Sequence, residues 1–141
     1  MRYEEGNGAS FTKTISESDI YLFAGITGDM NDLHINQINA QGTTFGRRIA
    51  HGMLTGAFIS TVLGMKFPGP GTVYLEQKLE FRKPVFMGDT ITAQVKVDEI
   101  LNEKKGIIRL KTEVYNQNDI CVIDGYAVVR IPEGSIEKQG I

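Results

Sequence analysis

From Thr72 to Ile131 the chain alternates between apolar and polar residues with a period of two. Val73, Leu75, Leu79 and Phe81 share a face opposite Tyr74, Glu76, Lys78, Glu80 and Arg82. Ile91, Ala93, Val95 and Val97 repeat the pattern, as do Ile108, Leu110, Thr112 and Val114, and then Cys121, Ile123, Ala127, Val129 and Ile131. Successive side chains of a strand point to opposite faces, so each run predicts a half-buried strand. The breaks at "MGD", "NEKKG" and "NQND" suit hairpin-like connections. The expected sheet is therefore largely antiparallel, with one apolar face to be covered.

Before Thr72 the period changes. Phe11 to Ile15 alternates like a strand, and Ser16 with Asp19 three positions on forms a capping box for a helix. Ile20, Phe23, Ala24 and Thr27 fall on one face of that helix, and Gly28 ends it. A second helix runs from near His51 to near Gly64 inside the longest stretch without a formal charge, Ile49 to Met65. That stretch is too short and too interrupted by polar residues for a membrane span. A helix apolar almost all round is one enclosed by other protein, and it is the only good cover for the sheet. The expected architecture is α+β, a long antiparallel sheet wrapped around a central helix, in one domain over residues 1–141 with a short loose tail after about residue 132. Gly52, Gly56 and Ser60 form a stripe of small side chains on that helix, suited to tight packing or to close approach of a ligand.

Composition excludes some classes of partner. A net charge of -2 over 141 residues offers no electrostatic footprint for nucleic acid or an anionic membrane. The single cysteine, Cys121, cannot form an internal disulfide, and the acidic start "MRYEEGNGAS" lacks the apolar core of a secretory signal. A cytoplasmic protein is expected.

The candidate chemistry lies in "TGDMNDLHIN", Thr27 to Asn36, just after the first helix. A calcium loop would begin at Asp29 and Asn31, but Leu33, His34 and Ala40 then occupy its next ligand, turn-glycine and closing-glutamate positions. A catalytic zinc site usually takes three protein ligands, and the chain has two histidines, so no metal is expected. Cys121, on the apolar face of a strand, reads as an inert buried thiol. Asp29 and His34 remain, five positions apart across a turn, either as structural residues or as an acid/base pair converging on a water.

Together "GDMNDLH", "RRIAHGMLTGAFISTVLG" and "KPVFMGDT" resemble the MaoC-like R-specific enoyl-CoA hydratases of the hot-dog fold, over about Ile15 to Pro132. The family has proline where this chain has Asp32, and often where it has Arg48. The resemblance implies that Asp29 and His34 grip and activate a water, and that the Gly52 N–H receives the thioester oxygen. A helix N-terminus, with its unpaired N–H groups and positive dipole end, independently suits that last role. Water would add to the β-carbon of a trans-2-enoyl thioester, giving an (R)-3-hydroxyacyl thioester, or the reverse, with no cofactor.

Asn31 is expected to brace the loop, and Ser60 and Leu63 to line an acyl tunnel or simply pack. His51 could hold the helix start through its side chain. Gly88 and Asp89 read as a turn. Arg47, Arg48, Arg82 and Lys83 could meet coenzyme A phosphates, although scattered surface cations are the default. The resemblance implies an acyl-CoA or acyl-carrier-protein thioester as partner, and a homodimer or dimer of dimers would cover the open sheet edges. A hot-dog thioesterase and a non-catalytic acyl-thioester-binding module are the rival readings. The thioesterases commonly carry an acidic residue on the central helix, and none lies between Ile49 and Met65.

Overall fold

The structure, a computed structural model, describes residues 3–133. The tail expected after residue 132 lies almost wholly outside the described residues. The chain forms β1 (Gly8–Thr14), α1 (Glu17–Thr27), two short helices α2 (Asp32–Ile35) and α3 (Gln37–Gln41), then α4 (Gly52–Thr61), which continues as a π-helical turn over Val62–Lys66. Four strands follow: β2 (Val73–Phe81), β3 (Thr90–Asn102), β4 (Ile107–Tyr115) and β5 (Cys121–Arg130). They join β1 in one sheet of order β1-β3-β4-β5-β2, with every neighbouring pair antiparallel.

The sheet curls around α4 and the turn that extends it. Ile59, Val62 and Leu63 are at most 1% exposed and pack in one core cluster with Ile91, Ala93 and Val95 of β3, Ile108, Leu110 and Val114 of β4, and Ile123, Ala127 and Val129 of β5. Each of the valine, leucine and isoleucine side chains contributes roughly 1.5–3 kcal/mol on burial. Nearly all are the apolar members of the alternating runs, so the period-two pattern chose the inner face correctly in β3 and β4; in β5 it holds for Ile123, Ala127 and Val129, whereas Cys121 is half-buried and Val122 and Val128 are buried as well. This is the hot-dog arrangement expected from the sequence.

Three expectations need correction. The break at Met87–Asp89 is not a hairpin: β2 pairs with β5 at one end of the sheet, whereas β3 lies beside β1 at the other. The link between them crosses the fold and is pinned by Asp89, which accepts from the Phe86 N–H at 2.9 Å and from Gln117 Nε2 at 3.0 Å. Gly88, at φ 94°, makes the turn there. Second, of the apolar residues of β2 only Leu79 packs against the core. A register shift at Tyr74/Glu76 breaks the strand's alternation, and Val73, Leu75 and Phe81 are 38%, 50% and 55% exposed at this edge. Third, α4 is not enclosed all round in the single chain, since Gly52, Met53, Ala57 and Ser60 are exposed.

The first helix follows its sequence signals closely. Ser16 Oγ accepts from the Asp19 N–H while Asp19 Oδ2 accepts from the Ser16 N–H, and Gly28 closes the helix in the left-handed region at φ 79°. Lys13 adds an ion pair to Asp19 at 2.7 Å. Donation from Lys13 is the largest cause holding the Asp19 carboxyl below its ordinary value, followed by the Ser16 backbone N–H. Among the described residues no helix is long and apolar enough to cross a membrane.

Candidate active site

Asp29 enters the structure directly after the Gly28 cap, and a chain of local hydrogen bonds carries the backbone from there to His34. The Asp29 N–H donates to Thr27 Oγ1 at 3.2 Å, and Asp29 Oδ1 accepts from the Asn31 N–H at 3.2 Å. Asn31 Oδ1 then caps α2 by accepting from the Leu33 N–H at 3.0 Å. Asn31 thus spans the turn between the two candidate residues, with its main chain on Asp29 and its side chain on the helix that carries His34. Asp32, where the resemblance expects proline, accepts from Asn39 Nδ2 at 2.6 Å and so ties α2 to α3.

His34 is 9% exposed, and its ring is fixed from the segment ahead of α4. Its Nδ1 lies 2.8 Å from the Ile49 carbonyl oxygen. A carbonyl can only accept, so Nδ1 carries the hydrogen, and Nε2 is the nitrogen left to carry the lone pair of a neutral imidazole. The Ile49 N–H donates back to the Leu33 carbonyl at 3.1 Å, which clamps the two segments together.

His51 completes the cluster in a way the sequence did not signal. His51 makes no side-chain cap on α4 itself, and the side-chain hydrogen bond expected at this helix start goes to the loop at Asp29. Its Nε2 donates to the main-chain carbonyl of Asp29 at 3.0 Å, and the ring stacks on His34 with centroids 3.8 Å apart and planes at 27°. Phe23 lies against the same ring at 4.9 Å. One polar atom each from Asp29, His34 and His51 falls within 4.8 Å of the others. A water hydrogen-bonded at about 2.8 Å to two groups bridges a gap of roughly that size. Rings lying face to face set their lone pairs side by side rather than converging on one ion. The trio therefore suits a water better than a metal ion.

Gly52 opens α4 one residue later. The His51 carbonyl accepts from the Leu54 and Thr55 N–H groups, which leaves the Gly52 and Met53 amides of that turn without a backbone acceptor among the described residues. A Cβ on Gly52 would stand 2.7 Å from a ring carbon of Phe81, so this position is crowded. A Cβ on Gly56, the next member of the stripe, would stand 3.0 Å from a methyl of Leu79, in keeping with tight helix–sheet packing.

Two apolar grooves meet at Met53. One, of about 520 Å³, runs past Gly52, Phe45, Ile49, Phe81, Arg82, Lys83 and Pro84. The other, of about 490 Å³, runs past Phe23, Gly56, Ala57, Ser60, Tyr74 and Leu75. Ser60 thus lines a groove. Leu63 lines neither and sits in the core at 1% exposure. Of the four cations, Arg48 is 6% exposed and engaged with Glu17 and the Tyr21 hydroxyl, with Glu17 holding its guanidinium above the ordinary value. Arg82 pairs with Glu80 and Asp124. Arg47 lies over the Phe86 ring at 4.0 Å, and Lys83 borders the first groove.

The profile of the MaoC-like domain matches residues 3–118. The chain belongs to the MaoC-like family. It is 50% identical over 129 residues to the (R)-specific enoyl-CoA hydratase of Rhodospirillum rubrum, covering 92% of this chain and 88% of that one. It is 46% identical over 121 residues to the 3-hydroxybutyryl-CoA dehydratase of Methylorubrum extorquens, covering 86% and 76% of the two chains. The unliganded R-hydratase PhaJ1 of Pseudomonas aeruginosa superposes with a TM-score of 0.88 at 44% identity, over 92% of this chain and 83% of that one. Like these relatives, this MaoC-like chain is a hydro-lyase. The features the sequence reading missed are the stack of His51 on His34 and the place of Met53 between the grooves. Neither has a periodic signature, because His34 and His51 meet through the fold and not along one element.

Proposed function

We propose that this chain is an (R)-specific enoyl-CoA hydratase in which Asp29 and His34 hold the attacking water and Gly52 receives the thioester oxygen. The observation that carries the reading is the convergence of the Asp29 carboxylate with a His34 nitrogen within 4.8 Å, beside the amides that open α4. Water bound by the pair loses a proton to one of them as its oxygen bonds to the β-carbon of a trans-2-enoyl thioester. The electron pair of the double bond moves toward the carbonyl, and the oxyanion is stabilised by the Gly52 N–H. A proton then reaches the α-carbon, giving the (R)-3-hydroxyacyl thioester, and dehydration is the same path in reverse. The thioester activates its own double bond, so the chemistry requires no cofactor. Donors aimed at a developing oxyanion contribute roughly 10²–10³-fold in rate.

In this reading the groove past Gly52, with Lys83 at its border, takes the pantetheine arm, and the groove past Ser60 takes the acyl chain. The substrate is carried on coenzyme A or on acyl-carrier protein. The uncovered β2 edge and the exposed face of α4 support a homodimer, because pairing two copies there removes an open edge and covers Val73, Leu75 and Met53. The lone cysteine and modest charge fit a cytoplasmic enzyme.

Purified protein with crotonyl-CoA tests the reading by following enoyl-thioester absorbance and free thiol together. Absorbance loss without thiol supports the hydratase. Thiol release would indicate the thioesterase, and neither signal with retained binding would indicate a binding module.

A further inference from the structure

His51 is 2% exposed and its Nδ1 is buried without a hydrogen-bond partner among the described residues. An unsatisfied buried nitrogen is destabilising, and a phenyl ring of similar shape would avoid the penalty. The other side of the ring explains what the imidazole does there. Nε2–H holds the Asp29 main chain at 3.0 Å, and the ring face lies on His34 at 3.8 Å. Asp29 itself is exposed and follows a glycine cap, so its other described ties are short-range bonds to Thr27 and Asn31. His51 is the contact that fixes its loop from outside the turn.

We propose that His51 is a positioning residue, which sets the separation of Asp29 and His34 by grasping the main chain of one and the ring face of the other. This rests on the hydratase reading above. His51 precedes Gly52, so the same backbone that presents the oxyanion donor also carries the group that aligns the water-holding pair. A misplacement on the order of 1 Å costs about 10²-fold in rate even when made away from the chemistry, so a group acting only on alignment has a large effect on turnover and little on binding.

Two variants separate the two contacts. His51→Phe keeps a flat ring for the stack and removes the N–H, whereas His51→Gln keeps a donor and removes the ring. With crotonyl-CoA, His51→Phe is expected to lower kcat roughly 10–100-fold with KM within about twofold. Its melting temperature should be unchanged or higher, because the unpartnered nitrogen is gone. His51→Gln should recover part of the rate through its donor. In the Asp29→Asn background, His51→Phe should add less than about threefold, since there is no longer a pair to align. Were His51→Phe not to fold, His51→Gln, alone and with Asp29→Asn, decides by the same kcat and additivity. With an active wild type, kcat within about twofold in the folded variants would overturn the proposal, as would a loss repeated in full on the Asp29→Asn background. A wild type that hydrates no enoyl-CoA overturns the hydratase reading itself, and this proposal with it.

Discussion

The Nδ1–H of His34 donates to the carbonyl of Ile49 at 2.8 Å, and this bond leaves Nε2 as the nitrogen for the proposed chemistry. It joins the short helix after α1 to the segment that leads into α4. The two sequence motifs of the site are thereby held in one place.

An asparagine at position 34 can keep that donation through its amide while removing Nε2, the nitrogen proposed to act on the water. His34→Asn should therefore fold with a melting temperature close to the wild type and hydrate crotonyl-CoA roughly 10²–10⁴-fold more slowly. Turnover and thermal denaturation measured on the same preparation check this. Near-normal turnover would remove His34 from the chemistry.

Gly52→Ala keeps the N–H but adds a Cβ that would meet the Phe81 ring at 2.7 Å. We expect at least a tenfold fall in kcat/KM, from displacement of Phe81 or of the helix start, against the ~10²–10³-fold that loss of a whole oxyanion donor brings. Pairing it with Phe81→Ala should restore much of the rate. Failure of that rescue would place the crowding elsewhere.

Ser60 and Leu63 lie three positions apart on one helical run yet predict opposite behaviour. Leu63→Ala opens a cavity in the core and should destabilise by about 2–5 kcal/mol, with the order of preference among acyl lengths unchanged. Ser60→Leu narrows the groove shared with Tyr74 and Leu75 and should shift preference toward shorter acyl chains with little effect on stability. Melting curves and rates on C4, C6 and C8 enoyl-CoA separate the two.

Asp19 gives a pH-dependent test of the first helix. Its folded pKa lies below the ordinary 3.8, so its contribution is full at neutral pH and is lost as pH falls below 3.8 through the folded value. Asp19→Ala should lower stability by about 1 kcal/mol at pH 7, as a lost cap does, with the difference from wild type shrinking toward pH 3. Denaturant unfolding at the two pH values measures it. An equal difference at both would detach the effect from the carboxylate.

Much of this was legible in the sequence where local rules decide. The Ser16 and Asp19 capping box, the Gly28 stop and the inner faces of β3 and β4 follow from side-chain chemistry and from periods of 3.6 and 2. The partner of β2 was not legible, because the turn signal in Met87–Asp89 is the same whether the chain reverses or crosses to the far side of a sheet. The exposure of Leu75 and Phe81 was hidden for a related reason: alternation records which residues share a face, not whether anything covers that face. In the candidate site, Asp29, His34 and Gly52 were proposed from their motifs, and the structure brings Asp29 and His34 within 4.8 Å. The role of His51 depends on a ring stacked across 17 residues of chain, a relation that appears only once α2 and the start of α4 are brought together.

The central claim is that Asp29 and His34 act as a unit on one water. The most direct measurement is the kcat for crotonyl-CoA hydration in Asp29→Asn, His34→Asn and the double variant, each folded as judged by its melting temperature. Two groups sharing one water give strongly non-additive losses, so the double variant should be scarcely slower than the poorer single one. Losses that multiply in the double variant, or near-normal turnover in either single one, would contradict the account.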